Sequence, residues 1–320
     1  MSRPRSENSG AAVEARGLTK HFDAIRAVDG LDLTVHPGEM FALVGPDGAG
    51  KTTTLRMFCG ILRPTGGSVH VLGHDPAEAV AGAESGIGYL SQRFSLYGDL
   101  TVDENIEFFA EIHGVGGFRN RREELLDFTR LTPFRGRLAD RLSGGMRQKL
   151  ALVCTLIHTP QVLFLDEPTT GVDPVSRRDF WKILSNLLKA GMTIIMSTPY
   201  LDEAERCSRV GLMDQGRLLA VDAPQAVKSS MRGDVVEIVC PEIRRAFAVL
   251  QGVAAAREIQ LFGDRLNIVV DDAGRDFPVV KERLLREGIG IFQWRIVPPS
   301  LENVFISMTK SAAARGGGQG

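Results

Sequence analysis

The chain has 320 residues, 43% of them hydrophobic and 24% charged, with a formal net charge of -1. That length can bury a sizeable core and suits two domains, while the near-neutral balance excludes a nucleic-acid binder built on bulk charge. Four widely spaced cysteines, with no CxxC or Cys/His cluster, indicate neither a zinc site nor a disulfide framework and are expected to be buried thiols in a reducing compartment.

Residues 1 to 11 are small and polar and read as a disordered lead; two arginines without an apolar run after them do not make a secretory signal. No apolar run reaches the roughly 18 residues that span a bilayer, so a soluble, intracellular chain is expected. From Val13 to Val35 two strands are expected around Gly30, ending at the turn His36-Pro37-Gly38. Met40-Phe41-Ala42-Leu43-Val44 reads as a buried parallel strand. It runs into Gly45-Pro46-Asp47-Gly48-Ala49-Gly50-Lys51-Thr52, which fits the P-loop pattern, and residues 51–58 can continue as a helix. The glycines let backbone N–H groups approach phosphate oxygens at a helix N-terminus. Lys51 would reach the β- and γ-phosphates, and the Thr52 hydroxyl would ligate Mg²⁺. The alternative is a glycine-rich turn that matches by chance.

Strands are then expected over 66–73 and 87–92, the second ending at Gln92. Helical patterns follow over 103–113 and 121–131. Leu142-Ser143-Gly144-Gly145-Met146-Arg147-Gln148 opens a helix through Ile157, with Ser143 as N-cap and two glycines exposing backbone N–H groups. Val162-Leu163-Phe164-Leu165-Asp166-Glu167 is a strand that delivers two acids at its C-terminal end, where an open parallel sheet meets its ligand. Asp166 reads as the Mg²⁺-side carboxylate and Glu167 as the general base; a solvated Asp-Glu turn before Pro168 is the alternative. A helix over 181–188, a core strand over 192–198 followed by Pro199, and strands over 210–213 and 217–221 complete the domain, with a boundary near residue 230. The remainder reads βαββαβ: strand 235–240, helix 241–250, hairpin 258–270, helix 277–286, strand 289–297 and a last helix 300–308. That order suggests a ferredoxin-like domain without obvious chemistry, and the Gly/Ala-rich tail from Ala312 reads as disordered.

The P-loop, Gln92, the LSGGMRQ element and Leu165-Asp166-Glu167-Pro168 together resemble the ATP-binding subunit of ABC transporters, over roughly residues 13 to 225. LSGGMRQ is the most specific part. The resemblance implies an α/β fold: a P-loop NTPase domain over 12–230 with a helical subdomain over about 93–158, followed by an α+β ferredoxin-like domain over 231–310 and a flexible tail over 311–320. By position, Phe22 matches the aromatic that stacks on adenine. Gly45, Pro46, Asp47, Gly48, Ala49, Gly50, Lys51, Thr52 and Thr53 match the phosphate-binding segment, and Thr52, Gln92 and Asp166 the Mg²⁺ residues. Glu167 matches the catalytic base, with Gln92 beside it. Ser143, Gly144, Gly145 and Gln148 match the signature that caps the γ-phosphate on the opposite subunit, and Asp173 the loop that crosses the dimer interface.

The implied cofactors are ATP and Mg²⁺. The implied partners are a membrane-spanning permease and a second nucleotide-binding domain, as a homodimer or an asymmetric heterodimer; nucleic acid is not expected. The implied location is the cytoplasmic face of the cell membrane. Pro298-Pro299-Ser300-Leu301-Glu302-Asn303-Val304-Phe305 and residues 92–97 resemble drug and polysaccharide exporters. Two positions depart from the family pattern. Asp47 stands where Asn is usual, and Pro199 where the family has its switch histidine; all six histidines lie at or before His158. A soluble ABC protein acting on ribosomes or DNA fits poorly, because this chain has one such domain and a short insert before the signature. A regulatory module with weak hydrolysis stays open through Pro199.

Overall fold

The computed structural model describes residues 10–78, 86–93 and 96–316. Most of the expected disordered lead, Phe94 and Ser95 of the exporter-like stretch, and the last four residues of the tail lie outside the described residues. The chain divides into two compact units, Met1–Ala220 and Val221–Gly320.

In the first unit, β1 (Val13–Phe22), β2 (Ile25–Val35) and, after β3 (Met40–Val44) and α1 (Lys51–Phe58), β4 (Gly66–Val71) form an antiparallel sheet in the order β2-β1-β4. The β1–β2 reversal falls at Asp23-Ala24, with Asp23 at φ 49°, and not at Gly30. Gly30, at φ 63°, lies inside β2, where Asp29 and Gly30 together face Thr19 and the Thr19 hydroxyl accepts from the Gly30 N–H at 3.1 Å. A glycine with positive φ makes a bulge there and leaves the strand running.

The helical segment follows β5 (Ile87–Leu90) and comprises α2 (Val102–Ile112), α3 (Arg119–Thr129) and α4 (Gly144–Leu156). A Thr101/Glu104 capping box starts α2, and Ser143 caps α4 by accepting from the Met146 N–H at 3.3 Å. Then come β6 (Val162–Asp166), α5 (Pro174–Lys189), β7 (Thr193–Thr198), α6 (Leu201–Ala204), β8 (Arg209–Asp214) and β9 (Arg217–Asp222). The second sheet runs β5-β6-β7-β3-β8-β9, parallel from β5 to β8. Every residue of β3, β6 and β7 is buried, as unbroken apolar runs demand when both faces are covered. Because these three strands are adjacent and parallel, the segments leaving their C-terminal ends converge on one edge: the P-loop from β3, Glu167 from β6 and Pro199 from β7.

The second unit begins ten residues before the expected boundary, with α7 (Pro224–Ser229), which packs against the terminal helix α10 (Leu301–Gly316). Between them lie β10 (Asp234–Val239), α8 (Ile243–Leu250), β11 (Glu258–Phe262), β12 (Arg265–Val270), α9 (Ala273–Arg286) and β13 (Gln293–Val297). The strands form an antiparallel sheet in the order β11-β12-β10-β13, the split βαβ arrangement. Residues of α8 and α9, including Leu250, Phe277 and Leu284, share one core with Val236, Ile238, Leu266 and Ile268. Helix α10 continues eight residues past the expected end at Met308, through part of the presumed tail. Ala312, Ala313 and Ala314 explain this, since alanine is the strongest helix former. All four cysteines are free, and only Cys59 is not fully buried.

Candidate functional site

Between β3 and α1 the chain turns through Gly45–Gly50, with Gly48 at φ 80° and Gly50, the α1 N-cap, at φ 102°. A Cβ on Gly45 would sit 2.0 Å from the Met213 carbonyl oxygen, so backbone packing requires glycine at 45, as conformation does at 48 and 50. Lys51 is 4% exposed. Its ammonium donates to the carbonyls of Gly45 at 2.8 Å and Pro46 at 3.0 Å, and lies 3.4 Å from Glu167 Oε1.

Asp166 ends β6 fully buried. Thr52 Oγ1 donates to Asp166 Oδ1 at 2.9 Å, Ser197 Oγ to the same oxygen at 2.6 Å, and Tyr89 Oη to Oδ2 at 3.3 Å. Burial and the Asp166 charge push the Tyr89 phenol up to about 12, which keeps it protonated and able to donate. Glu167 sits at φ 48°, a left-handed conformation for a residue with a side chain. Its N–H donates to Ser197 O at 3.2 Å and Ser197 Oγ at 3.0 Å, while its carboxylate accepts from Gln92 Nε2 at 2.9 Å and Thr170 Oγ1 at 3.3 Å. The solvated-turn alternative for Asp166-Glu167 does not describe this geometry.

These groups open onto a cleft of about 830 Å³. Phe22 lines it, 44% exposed, with the Lys20 ammonium 5.2 Å from its ring centroid. Asp47 to Thr53, Gln92, Glu167, Pro199 and Tyr200 also line it, so the exposed Asp47 carboxylate stands on the cleft as a local negative charge. Ser143, Gly144, Gly145, Gln148 and Asp173 do not line this cleft. They form a separate cluster, in which Ser143 caps α4 and Asp173 caps α5 through the Val175 and Ser176 N–H groups at 3.1 and 3.0 Å. Gly145 packs against Ser176, where an added Cβ would meet Oγ at 2.2 Å, while Ser143 and Gly144 are exposed.

Three residues that hold this site escaped the sequence reading. Ser197 and Tyr89 secure Asp166; a polar residue inside an apolar strand is the signal that could have marked Ser197. The third is Glu203, fully buried on α6, which accepts from Thr169 Oγ1, Arg177 Nε, Trp181 Nε1 and Thr198 Oγ1. It ties the segment after Glu167, the start of α5 and the end of β7 into one network. Arg177 also lies over the ring of Tyr200, 4.9 Å from its centroid.

The donors facing the cleft beside Asp166 are the Thr52 hydroxyl and the Gln92 amide, hard oxygen ligands of the kind Mg²⁺ takes while keeping waters and phosphate oxygens in its shell. Among the described residues no group of three His, Cys, Asp or Glu could hold a metal ion. Among the described residues no helix is long and apolar enough to cross a membrane.

A family profile described as "ABC transporter" matches residues 28–170. The "Probable multidrug ABC transporter ATP-binding protein YbhF" of Escherichia coli is 48% identical over 227 residues, which are 70% of this chain and 39% of that protein. The chain thus spans well under half the length of that relative. The "Daunorubicin resistance ATP-binding protein DrrA2" of Streptomyces coeruleorubidus is 36% identical over 307 residues, covering 94% of this chain and 95% of that one. A solved structure titled "Structure of ATP binding subunit of ABC transporter" superposes with a TM-score of 0.62 at 27% identity, over 68% of this chain and 92% of its own.

Proposed function

Because the chain belongs to the ABC transporter ATP-binding family, we propose that it binds and hydrolyses ATP, and so powers export of a substrate through a separate membrane-spanning subunit. The observation that carries this reading is the fully buried Asp166 held by three hydroxyls, beside the Lys51–Glu167 pair at the end of a glycine loop. On arrival of the phosphates, the Lys51 ammonium exchanges the Gly45 and Pro46 carbonyls for phosphate oxygens, and the loop's N–H groups take the rest. Thr52, Asp166 and Gln92 would hold Mg²⁺, which supplies neutralisation of charge on the β- and γ-oxygens. Glu167, freed from Lys51, polarises a water against the γ-phosphate, with Gln92 orienting the carboxylate. Phe22 at the mouth offers its ring face to the base.

The exposed signature at Ser143-Gly144, away from the chain's own cleft, supports head-to-tail pairing with a second nucleotide-binding domain. In such a pair the Ser143 hydroxyl and the α4 N-terminus would meet a γ-phosphate on the opposite cleft. The multidrug and daunorubicin-resistance names of the relatives support drugs as candidate substrates, and a membrane-spanning partner implies the cytoplasmic face of the cell membrane as the working location.

Pro199 favours a second reading within the same function. It lines the cleft at the end of β7 and has no side-chain donor or acceptor, so the chain's own site holds ATP and turns it over slowly, while its signature completes a faster site on a different partner domain. The test is steady-state ATPase of the purified chain, Glu167→Gln and Pro199→His. Glu167→Gln should lower turnover by about 10²–10³, the usual effect of removing one positioned group at a reacting centre. Turnover that survives Glu167→Gln overturns the catalytic assignment. Pro199→His should raise turnover; an unchanged rate overturns the slow-site reading and leaves the ATPase standing. Copurification with a polytopic membrane protein checks the transport partner.

A further inference from the structure

The second unit's sheet treats its two edges differently. Along β11 lies α10: Gln260 and Asn303 bond reciprocally, Nε2 to the Asn303 carbonyl at 3.1 Å and Nδ2 to Gln260 Oε1 at 2.6 Å, and Lys310 Nζ reaches the Ile259 carbonyl at 3.4 Å. At the other edge β13 has β10 on one side and, among the described residues, no strand on the other. Four of its five residues are exposed.

The apolar rows of the core run off that open edge. Cross-strand register aligns Leu261, Leu266, Ile238 and Trp294 in one row, and Ile259, Ile268, Val236 and Ile296 in the next. Ile238 and Val236 are 0% exposed, yet one strand further Trp294 is 46% and Ile296 57% exposed, and Phe292, on the same face by alternation, is 75% exposed. Trp294 is held in place by Phe277, with ring centroids 4.4 Å apart. Edge strands are ordinarily blunted by charge. Here the single charge, Arg295, is already neutralised by Glu237 at 2.8 Å, on the opposite face.

We propose that β13 is the pairing edge for a second copy of this chain, joined antiparallel about Trp294 into a continuous eight-stranded sheet. The strand is self-complementary in that register. Trp294 faces Trp294 of the second copy, Phe292 faces Ile296, and on the other face Gln293 lies opposite Arg295. Both core rows then continue across the junction as apolar cross-strand pairs. The neighbouring register, centred on Arg295, sets two guanidinium groups directly opposite one another and is disfavoured. Pro298 and Pro299 follow β13 and, lacking N–H groups, end the ladder there. This contact uses neither the P-loop nor the signature, so it forms without nucleotide and stands or falls apart from the ATP-driven pairing proposed above.

The experiment uses the full chain without nucleotide. Sedimentation should show a dimer, which Trp294→Lys dissociates with at least a tenfold weaker association. Val279→Lys, at a 50% exposed position on α9, should leave the dimer intact. Register is read by oxidative cross-linking with identification of the joined peptides. Trp294→Cys should link to itself, and a mixture of Gln293→Cys and Arg295→Cys chains should link 293 to 295, while neither of those chains links alone. A monomeric wild-type chain, a Trp294→Lys chain that stays dimeric, or a 295-to-295 link each overturns the proposal.

Discussion

The six-stranded sheet of the first unit and the four-stranded sheet of the second solve the same problem, burying apolar surface, but the first buries charge at its centre, whereas the second has Asp276, 8% exposed, only at the start of α9. Around β3, β6 and β7 the interior takes in Lys51, Asp166 and Glu203, at 4%, 0% and 0% exposure. Removing such charges from water costs several kcal/mol each unless donors and counter-charges converge on them. They do converge: three hydroxyls on Asp166, four donors on Glu203, two carbonyls and a carboxylate around Lys51. The second sheet has aliphatic rows inside and its ion pairs outside, such as Arg265 and Arg295 on Glu237, whose net contribution is small. The first interior is expensive because it holds the charges of the proposed ATP site, and the second is inexpensive because apolar burial alone fills it.

Substitutions in each unit test whether energy and function are partitioned in this way. The largest effect expected is on binding: Lys51→Ala removes charge-assisted contacts worth about 1.5–3 kcal/mol each and should weaken a labelled ATP analogue at least 100-fold. Unchanged affinity in a folded variant would remove the first unit's claim to the site. Glu203→Ala strands four donors in the interior and should destabilise the first unit by about 3–5 kcal/mol in urea unfolding, with Glu203→Gln losing less. If instead the variant is as stable as wild type, the network is not what orders the β7 end and α5. In the second unit Ile238→Ala should cost about 2–4 kcal/mol through transfer and cavity, while ATP affinity stays within twofold. A coupled loss of affinity would erase the division of labour. The smallest effect is Ser143→Ala, about 1 kcal/mol from one lost helix cap, read as a modest shift in the thermal midpoint.

What could be read from residues alone follows the same division. The glycine loop, the apolar strands on each side of it and the acid pair are local patterns, and the structure sets Lys51, Thr52, Asp166, Glu167 and Gln92 together as those patterns imply. Ser143, Gly144, Gly145 and Gln148, which the resemblance matches to a γ-phosphate on the opposite subunit, and Asp173, which it matches to the loop at the dimer interface, lie off the chain's own cleft. Hidden from sequence were the contacts that depend on register between distant strands. Ser197 reaches both Asp166 and the Glu167 N–H only because β6 and β7 pair Asp166 with Ser197, and no spacing along the chain states that. Gly30 misled because one residue type serves both reversals and bulges, and the partner strand decides between them. The open edge at β13 was equally silent, since a strand's position in a sheet is set by topology.

Glu167 carries its carboxylate on a backbone where glycine is at ease and a side chain costs about 1 kcal/mol. Its neighbours hold it there; its own preference does not. Glu167→Gly would relax the turn, but it would also leave the Lys51 ammonium, 4% exposed, without its counter-charge, and an unpaired buried charge costs several kcal/mol. The strained turn and the ion pair are therefore locked together: Glu167→Gly should destabilise the wild-type chain and stabilise a Lys51→Ala chain. A position at which one substitution changes sign with its neighbour cannot drift alone.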